Sequence, residues 1–377
     1  MKISLVHYSS LPVIGGVEVV MAAHARLLAD AGHSVTIVCG RGESEDSRIL
    51  LELLPAGDDA LPAMLRVLLA RQDVVIVHNV MTMHFHLRLT EALWNLADEL
   101  AGVRFLAWVH DIAACNADYD LSQSARQWLV RRHPRMEYVA VSELRQRQFL
   151  ELTGSACPVI PNGVEPAQVL GLSAPVAALA ERFGLFEREV VLLHPARILR
   201  RKNIELGLRV TAEIKPKFSC AYLVTGPPDP HHAASADYAS ELRALRSELG
   251  LEGDALFLHE HFTVGDADLR SLYELADALF FPSHQEGFGL PVLESALHRL
   301  PVFCSDIEPL NALLPRRLSV FPTDDPPRRI ATRIALALHG ADIAKARKET
   351  LRRYGWRAIH RNFLAPLLAA ADTPAQP

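Results

Sequence analysis

Residues 283–294 read Ser-His-Gln-Glu-Gly-Phe-Gly-Leu-Pro-Val-Leu-Glu, and seven residues separate the carboxylates Glu286 and Glu294. The apolar run Ala278-Leu279-Phe280-Phe281 before them predicts a buried strand. Gly287 and Gly289 free the backbone for conformations closed to residues with a Cβ, and Pro291 suits the first turn of a helix continuing through Leu297. Strand, glycine turn and helix start together make a phosphate cradle, because the first amides of a helix have no internal partner. Acids beside such a cradle are costly unless they bind hydroxyls, so the ligand chemistry is that of a sugar or ribose. At about 100° per residue the two glutamates point in different directions, and each serves its own part of the ligand. Two surface glutamates on one helix is the plainer alternative.

Three more elements fall where strands should end. Gly15-Gly16-Val17-Glu18 opens a helix, and its amides could meet an anion favoured by the helix dipole, or form only a turn. No G-x-G-x-x-G is present, which counts against a dinucleotide site. Trp108-Val109-His110-Asp111 closes an apolar run, and its His-Asp pair either points at a ligand or caps its own loop. Arg197 and Lys202 lie on the stretch His194–Asn203, which leads from a strand into a helix. Fixed cations there would stabilise a diphosphate leaving group as its charge develops. Arg200 and Arg201 read as solvated charges.

Other signals carry less. His84-x-His86 and His259-x-His261 have metal-like spacing without a carboxylate or thiolate cluster beside them. Asp118-Tyr119-Asp120 has a metal-binding D-x-D pattern but no apolar strand before it. Neither a G-x-S-x-G elbow nor a Walker lysine occurs. No metal site is expected.

The elements that must position these residues alternate along the chain. Ile3–Val6, Val35–Val38, Val74–Val77, Arg104–Val109 and Tyr138–Val141 read as strands of a first half. Val190–Leu193, Ala221–Val224, Ala255–Leu258, Ala278–Phe281 and Val302–Cys304 read as strands of a second. Amphipathic stretches separate them, so the fold class is α/β, with two doubly wound parallel sheets. At 377 residues two domains are expected, a first over 1–165, a second over 166–355, and a closing helix with a frayed tail over 356–377. Ligands of such sheets bind beyond the carboxyl ends of the strands.

Half the residues are hydrophobic, 22% are charged and the net charge is −5, which gives no support to nucleic-acid binding. Five unpatterned cysteines point to reduced thiols and a cytoplasmic setting. Residues 1–7 read as a strand rather than a leader, and no apolar run reaches membrane-span length. Arg126, Arg131, Arg132, Arg135, Arg145 and Arg147, with Trp128 and Leu129 among them, form either a weak peripheral membrane contact or a solvated face.

Taken in order, Gly15-Gly16-Val17-Glu18, His110-Asp111, Pro161-Asn162-Gly163-Val164, Arg197 through Lys202, and Glu286-Gly287-Phe288-Gly289-Leu290-Pro291 to Glu294 resemble the retaining GT-B glycosyltransferases of sequence family 4. The resemblance implies two Rossmann-like domains facing a central cleft, the first on the acceptor side and the second holding the nucleotide sugar. It implies transfer of a hexosyl unit, glucose or mannose, from a UDP- or GDP-hexose to a hydroxyl of a carbohydrate, lipid or small hydroxylated metabolite. By similarity Glu286 would hold the donor sugar, Glu294 the ribose, and Arg197 and Lys202 the diphosphate. Gly16 and the amides of Phe288, Gly289 and Leu290 would add neutral donors, with Gly15, Asn162 and Gly287 in the same substrate-binding set. His110 would lie by the reacting carbon with Asp111 beside it, and Gly226, His261 and Phe262 would flank the base. Neither a metal nor another cofactor is implied. The loop Gly226-Pro227-Pro228-Asp229-Pro230-His231-His232 is longer than that pattern needs, and either shapes the nucleotide or acceptor side or is a surface excursion. A nucleotide-sugar epimerase and a silent nucleotide-sugar-binding subunit are the competing readings.

Overall fold

Runs such as Val-Val-Ile-Val-His and Val-Val-Leu-Leu-His have no polar face, so a strand made of them must be covered on both sides. The computed structural model describes every residue except 45, 56–58, 230–233, 314–318, 341 and 371–377. It divides into two compact units, Met1–Val164 with the segment from Tyr354 onward, and Glu165–Arg353.

The first unit holds strands β1 (Lys2–Val6), β2 (Ser34–Cys39), β3 (Ile49–Leu53), β4 (Val74–His78), β5 (Arg104–Val109) and β6 (Met136–Ala140). They form one parallel sheet in the order β3-β2-β1-β4-β5-β6. The second unit holds β7 (Val190–His194), β8 (Cys220–Val224), β9 (Ala255–Phe257), β10 (Ala278–Phe281), β11 (Val302–Ser305) and β12 (Ser319–Phe321). Its order is β12-β11-β10-β7-β8-β9, again parallel. Each order reverses at the first strand of its unit, so each sheet is doubly wound, with a ligand crevice expected at that reversal.

Apolar layers cover both faces of each sheet. In the first unit one layer gathers Val6, Val75, Val77, Phe105 and Leu93, and the other Ile3, Leu5, Ile76, Leu106, Trp108 and Met21. The second layer also takes in Trp356, Ile359, Leu364 and Leu368, so the closing helical segment completes the first unit's core. Gly163 is needed where it docks, since a Cβ there would come within 2.6 Å of the Trp356 ring. Val164 N–H donates to Tyr354 O at 2.7 Å and Trp356 N–H to Val164 O at 3.1 Å, tying the two segments together.

Two strands escape the sequence pattern. β3 and β12 are edge strands that are only partly buried, unlike the edges β6 and β9, and Leu50 and Leu53 of β3 are exposed. The helices Leu61–Leu69, Gln123–Leu129, Ala174–Arg182 and Pro327–Gly340 lie in the segments outside the strands. No helix among the described residues is long and apolar enough to cross a membrane. The tail Asp372–Pro377 lies outside the described residues.

Candidate functional site

In the second unit the loop leaving β7 and the turn leaving β10 meet. Ile198 N–H donates to Pro227 O at 3.0 Å, and Asn203, with φ at +53°, turns the chain into the helix Ile204–Ile214. That turn buries Lys202, whose Nζ lies 2.6 Å from Glu286 Oε1. Ser283 Oγ, also buried, donates to the same carboxylate oxygen at 2.6 Å. Arg201 reaches Glu286 Oε2 at 3.6 Å and donates to Gln285 O at 3.2 Å, while its own carbonyl accepts from His284 N–H at 2.8 Å. Burial pushes the Lys202 ammonium below its usual range, the Glu286 carboxylate pulls it back up, and Arg201 adds to the lowering. Arg201 is therefore part of this group rather than a solvated charge, whereas Arg200 pairs with Glu241 at 2.6 Å. Only the folded contact reveals the difference.

The turn between Glu286 and the helix Leu290–Leu297 depends on one glycine. Gly289 has φ at +101°, and a Cβ there would stand 2.4 Å from Leu310 Cδ2. Gly287 is different: it is not in the left-handed region, and a Cβ would meet nothing within 4 Å. The expectation that both glycines answer a backbone demand is corrected on this point. Pro291 does occupy the first helical turn, and Phe288 and Leu290 stand exposed at the helix start. Glu294 lies further along, where its Oε2 accepts from Tyr273 Oη at 2.6 Å. Burial, then the bond to Glu294, raises the Tyr273 phenol above its usual range. The two glutamates are thus separately held, and Tyr273 is a partner that the sequence did not single out.

Arg197 projects into solvent with Asp229 Oδ2 at 3.5 Å. Gly226 lets the loops after β7 and β8 touch, because a Cβ would fall 2.7 Å from Ala196 O and from Arg197 Cα. His261 packs edge-on against Phe183 at 5.1 Å, and Phe262 joins the adjoining apolar layer. Of the proline-rich loop, residues 230–233 lie outside the described residues.

The remaining candidates belong to the first unit. A Cβ on Gly15 would fall 2.2 Å from Glu18 Oε2, so the glycine makes room for a carboxylate folded back over it. Glu18 accepts from Ser9 Oγ at 2.6 Å and has His7 Nε2 at 3.8 Å, while the space over Gly16 is open. At the end of β5, the Asn79 side-chain oxygen accepts from His110 N–H at 3.1 Å and Asp111 N–H at 2.8 Å. The Asp111 carboxylate is engaged by Arg145 at 2.7 Å and by the Ile112 amide at 2.8 Å. His110 instead bonds through Nε2 to Nδ1 of the buried His78 at 3.1 Å. Burial, reinforced by neighbouring histidines, pushes His110 down to about 3 and His78 well below its usual value, so both rings are neutral at ordinary pH. Asn162 is exposed just before the crossing into the second unit.

Of the basic face, Arg131 stacks over the Trp94 and Trp128 rings at 4.7 and 4.8 Å, and Leu129 is buried. Among the described residues no group of three or more His, Cys, Asp or Glu could hold a metal ion, and all five cysteines are free.

Known proteins resemble this chain. The family model described as Glycosyltransferase Family 4 matches residues 14–168, and the one described as Glycosyl transferases group 1 matches 177–353. An O-antigen chain mannosyltransferase, RfbU, of Salmonella typhimurium is 39% identical over 90 residues, 24% of this chain and 25% of that protein, so the chain aligns with only a quarter of this relative's length. Mannosylglucosylglycerate synthase of Thermotoga maritima is 23% identical over 368 residues, 82% of this chain and 83% of that one. Among solved structures, Anabaena Alr3699/HepE in complex with UDP aligns over 98% of this chain and 100% of its own with 20% identity and a TM-score of 0.42. With both family models matched in order, and each on its own doubly wound unit, the chain belongs to the family 4 glycosyltransferases of the GT-B class.

Proposed function

We propose that this glycosyltransferase moves a hexosyl unit, glucose or mannose, from a nucleoside-diphosphate sugar to an acceptor hydroxyl with retention of anomeric configuration. The observation that carries this reading is the group of buried Lys202, Ser283 and Glu286 carboxylate with the half-exposed Arg201, where two cations and a carboxylate converge at the ends of β7 and β10. An incoming diphosphate competes with Glu286 for Lys202 and Arg201, which leaves the carboxylate to accept hydrogen bonds from sugar hydroxyls. As the glycosidic bond to the diphosphate breaks, negative charge accumulates on the leaving oxygen. The ammonium of Lys202, the guanidinium groups of Arg197 and Arg201, and the amides before Leu290 stabilise that charge. The acceptor oxygen bonds to the same face of the anomeric carbon, and its proton passes to the departing diphosphate. His110, neutral and held by His78, offers a hydrogen bond to the sugar rather than a charge.

Glu294, kept in place by Tyr273, would take the ribose hydroxyls. Protein cations supply the charge at the leaving group, so the reaction is proposed to run without a metal. The named mannosyl relatives support a mannosyl donor first and a glucosyl donor second. The test is incubation with UDP-glucose, GDP-mannose and their counterparts, with EDTA present, following free nucleotide and the anomeric proton of the product. Released nucleotide and a retained anomer support the reading. An altered sugar with no release would indicate epimerisation, and binding without turnover a silent subunit.

A further inference from the structure

Among the described residues, two phenylalanines are more than half exposed, Phe85 at 58% and Phe288 at 52%. Phe288 belongs to the turn beside Glu286. Phe85 lies on the loop leaving β4 in the first unit, where the donor-side chemistry gives it no task. Single exposed apolar groups need no explanation, but this one is clamped. Tyr8 meets its ring edge-on at 5.7 Å, Tyr119 stands at 5.9 Å and 90°, and His84 tilts against it at 4.8 Å. His84 also contacts Tyr119 at 4.7 Å, so three loops interlock. The buried side chains Met83, Ala113 and Leu129 support the cluster, with Tyr8 and Tyr119 packed against them.

The position is informative too. Tyr8 follows β1, His84 and Phe85 follow β4, and Tyr119 follows β5, so the rings gather at the carboxyl end of the first sheet. Exposed Asp118 and Asp120 flank Tyr119, and neither carboxylate forms an ion pair among the described residues. A fixed aromatic face, with an exposed carboxylate on each side of Tyr119 in the chain, suits one ligand chemistry. The axial C–H groups of a pyranose carry partial positive charge and match the negative face of a benzene ring. Its equatorial hydroxyls can donate to carboxylates such as those beside Tyr119, as charge-assisted bonds. An acyl chain would leave the carboxylates without a role, and an anionic headgroup would be repelled by them.

We propose that Tyr8, His84, Phe85 and Tyr119 form the acceptor subsite, that the acceptor is a saccharide stacking a pyranose face on Phe85, and that Asp118 and Asp120 take its hydroxyls. The proposal rests on the glycosyl-transfer reading and narrows its acceptor to a carbohydrate, free or lipid-linked.

Saturation-transfer difference NMR on the full chain tests it, with methyl α-D-mannopyranoside, methyl α-D-glucopyranoside and octyl β-D-glucopyranoside as probes. Saturation should reach the sugar ring C–H protons, fall at least threefold in Phe85→Ala, and weaken in the double substitution Asp118→Asn with Asp120→Asn. Signals equal in wild type and Phe85→Ala would overturn the subsite, as would saturation confined to the octyl chain. Transfer kinetics then separate the sources: a lower KM for the octyl glycoside with ring saturation retained supports a lipid-linked saccharide, and equal KM values a free one. Nucleotide release by the wild-type protein tests the transfer reading separately. Glycosides bound through Phe85 without release from any donor would leave the saccharide subsite and remove the transferase reading.

Discussion

Lys202 and Glu286 are 84 residues apart in sequence and 2.6 Å apart in space, and each is the other's counter-ion. The Glu286 side chain is only 7% exposed, so its partner cannot be removed without consequence. Lys202→Ala should cost about 3 kcal/mol of stability, because it strands a buried carboxylate. It should also lower kcat by about a hundredfold or more, since the contact strengthens as charge develops. Combining Lys202→Met with Glu286→Gln should restore most of the stability and none of the turnover. Urea unfolding and steady-state kinetics on the three proteins check this. Near-normal kcat with a changed KM in Lys202→Ala would withdraw the leaving-group role.

His78 offers a second separation. Its Nδ1 holds His110 Nε2 at 3.1 Å, which leaves Nδ1 as the atom that His110 can present to a ligand. His78→Asn should lower kcat by about tenfold through loss of ring orientation, on the scale seen for supporting hydrogen bonds. Imidazole 15N spectra of His-labelled protein should show His110 neutral at pH 7 and its tautomer populations shifted by the substitution. Unchanged tautomer populations with unchanged kcat would mean that the bond is incidental.

Gly289 should tolerate no side chain. Its φ of +101° and a 2.4 Å approach to Leu310 make Gly289→Ala strained, at about 1–3 kcal/mol. Gly287→Ala should be far milder, because nothing stands within 4 Å. Thermal midpoints of the two variants, read side by side, decide whether one glycine or both hold the turn.

Acid should weaken the first unit early. Burial pushes His24 and His110 from 6.5 down to about 3, and His78 well below its usual value. As pH falls below 6.5 the unfolded chain takes up protons that these folded histidines refuse, so stability is full above 6.5 and declines toward about 3. Each histidine contributes a slope approaching about 1.4 kcal/mol per pH unit in that window. His24 lies 4.9 Å from Trp108 and 5.5 Å from Trp356, so tryptophan emission reports the transition. A urea midpoint that stays flat from pH 8 to 5 would contradict this.

The strands that were legible in sequence are those whose burial admits no polar face, from β1 and β4 to β7 and β10. Strands β3 and β12 were not, since their residues are only partly buried and need no strict pattern, whereas the edge strands β6 and β9, which were read, are almost wholly buried. The glycine turn and the helix start at Leu290 were legible, because φ above zero and a proline at the first turn are properties of residue types. Contacts across the chain were not. Nothing local distinguishes Arg201, which reaches Glu286, from Arg200, which pairs with Glu241. Tyr273 and His78 were missed for the same reason, as their partners Glu294 and His110 lie 21 and 32 residues away.

The open edge of the first sheet has a colloidal consequence. β3 reads Ile-Leu-Leu-Glu-Leu, with Leu50 63% and Leu53 49% exposed and, among the described residues, its outer backbone groups without a partner strand. Such a segment is a template for adding a strand from another chain, and charge is what discourages it. Glu52 carries the single charge within that run, which makes it the gatekeeper of how concentrated and how long-lived a monodisperse preparation can be.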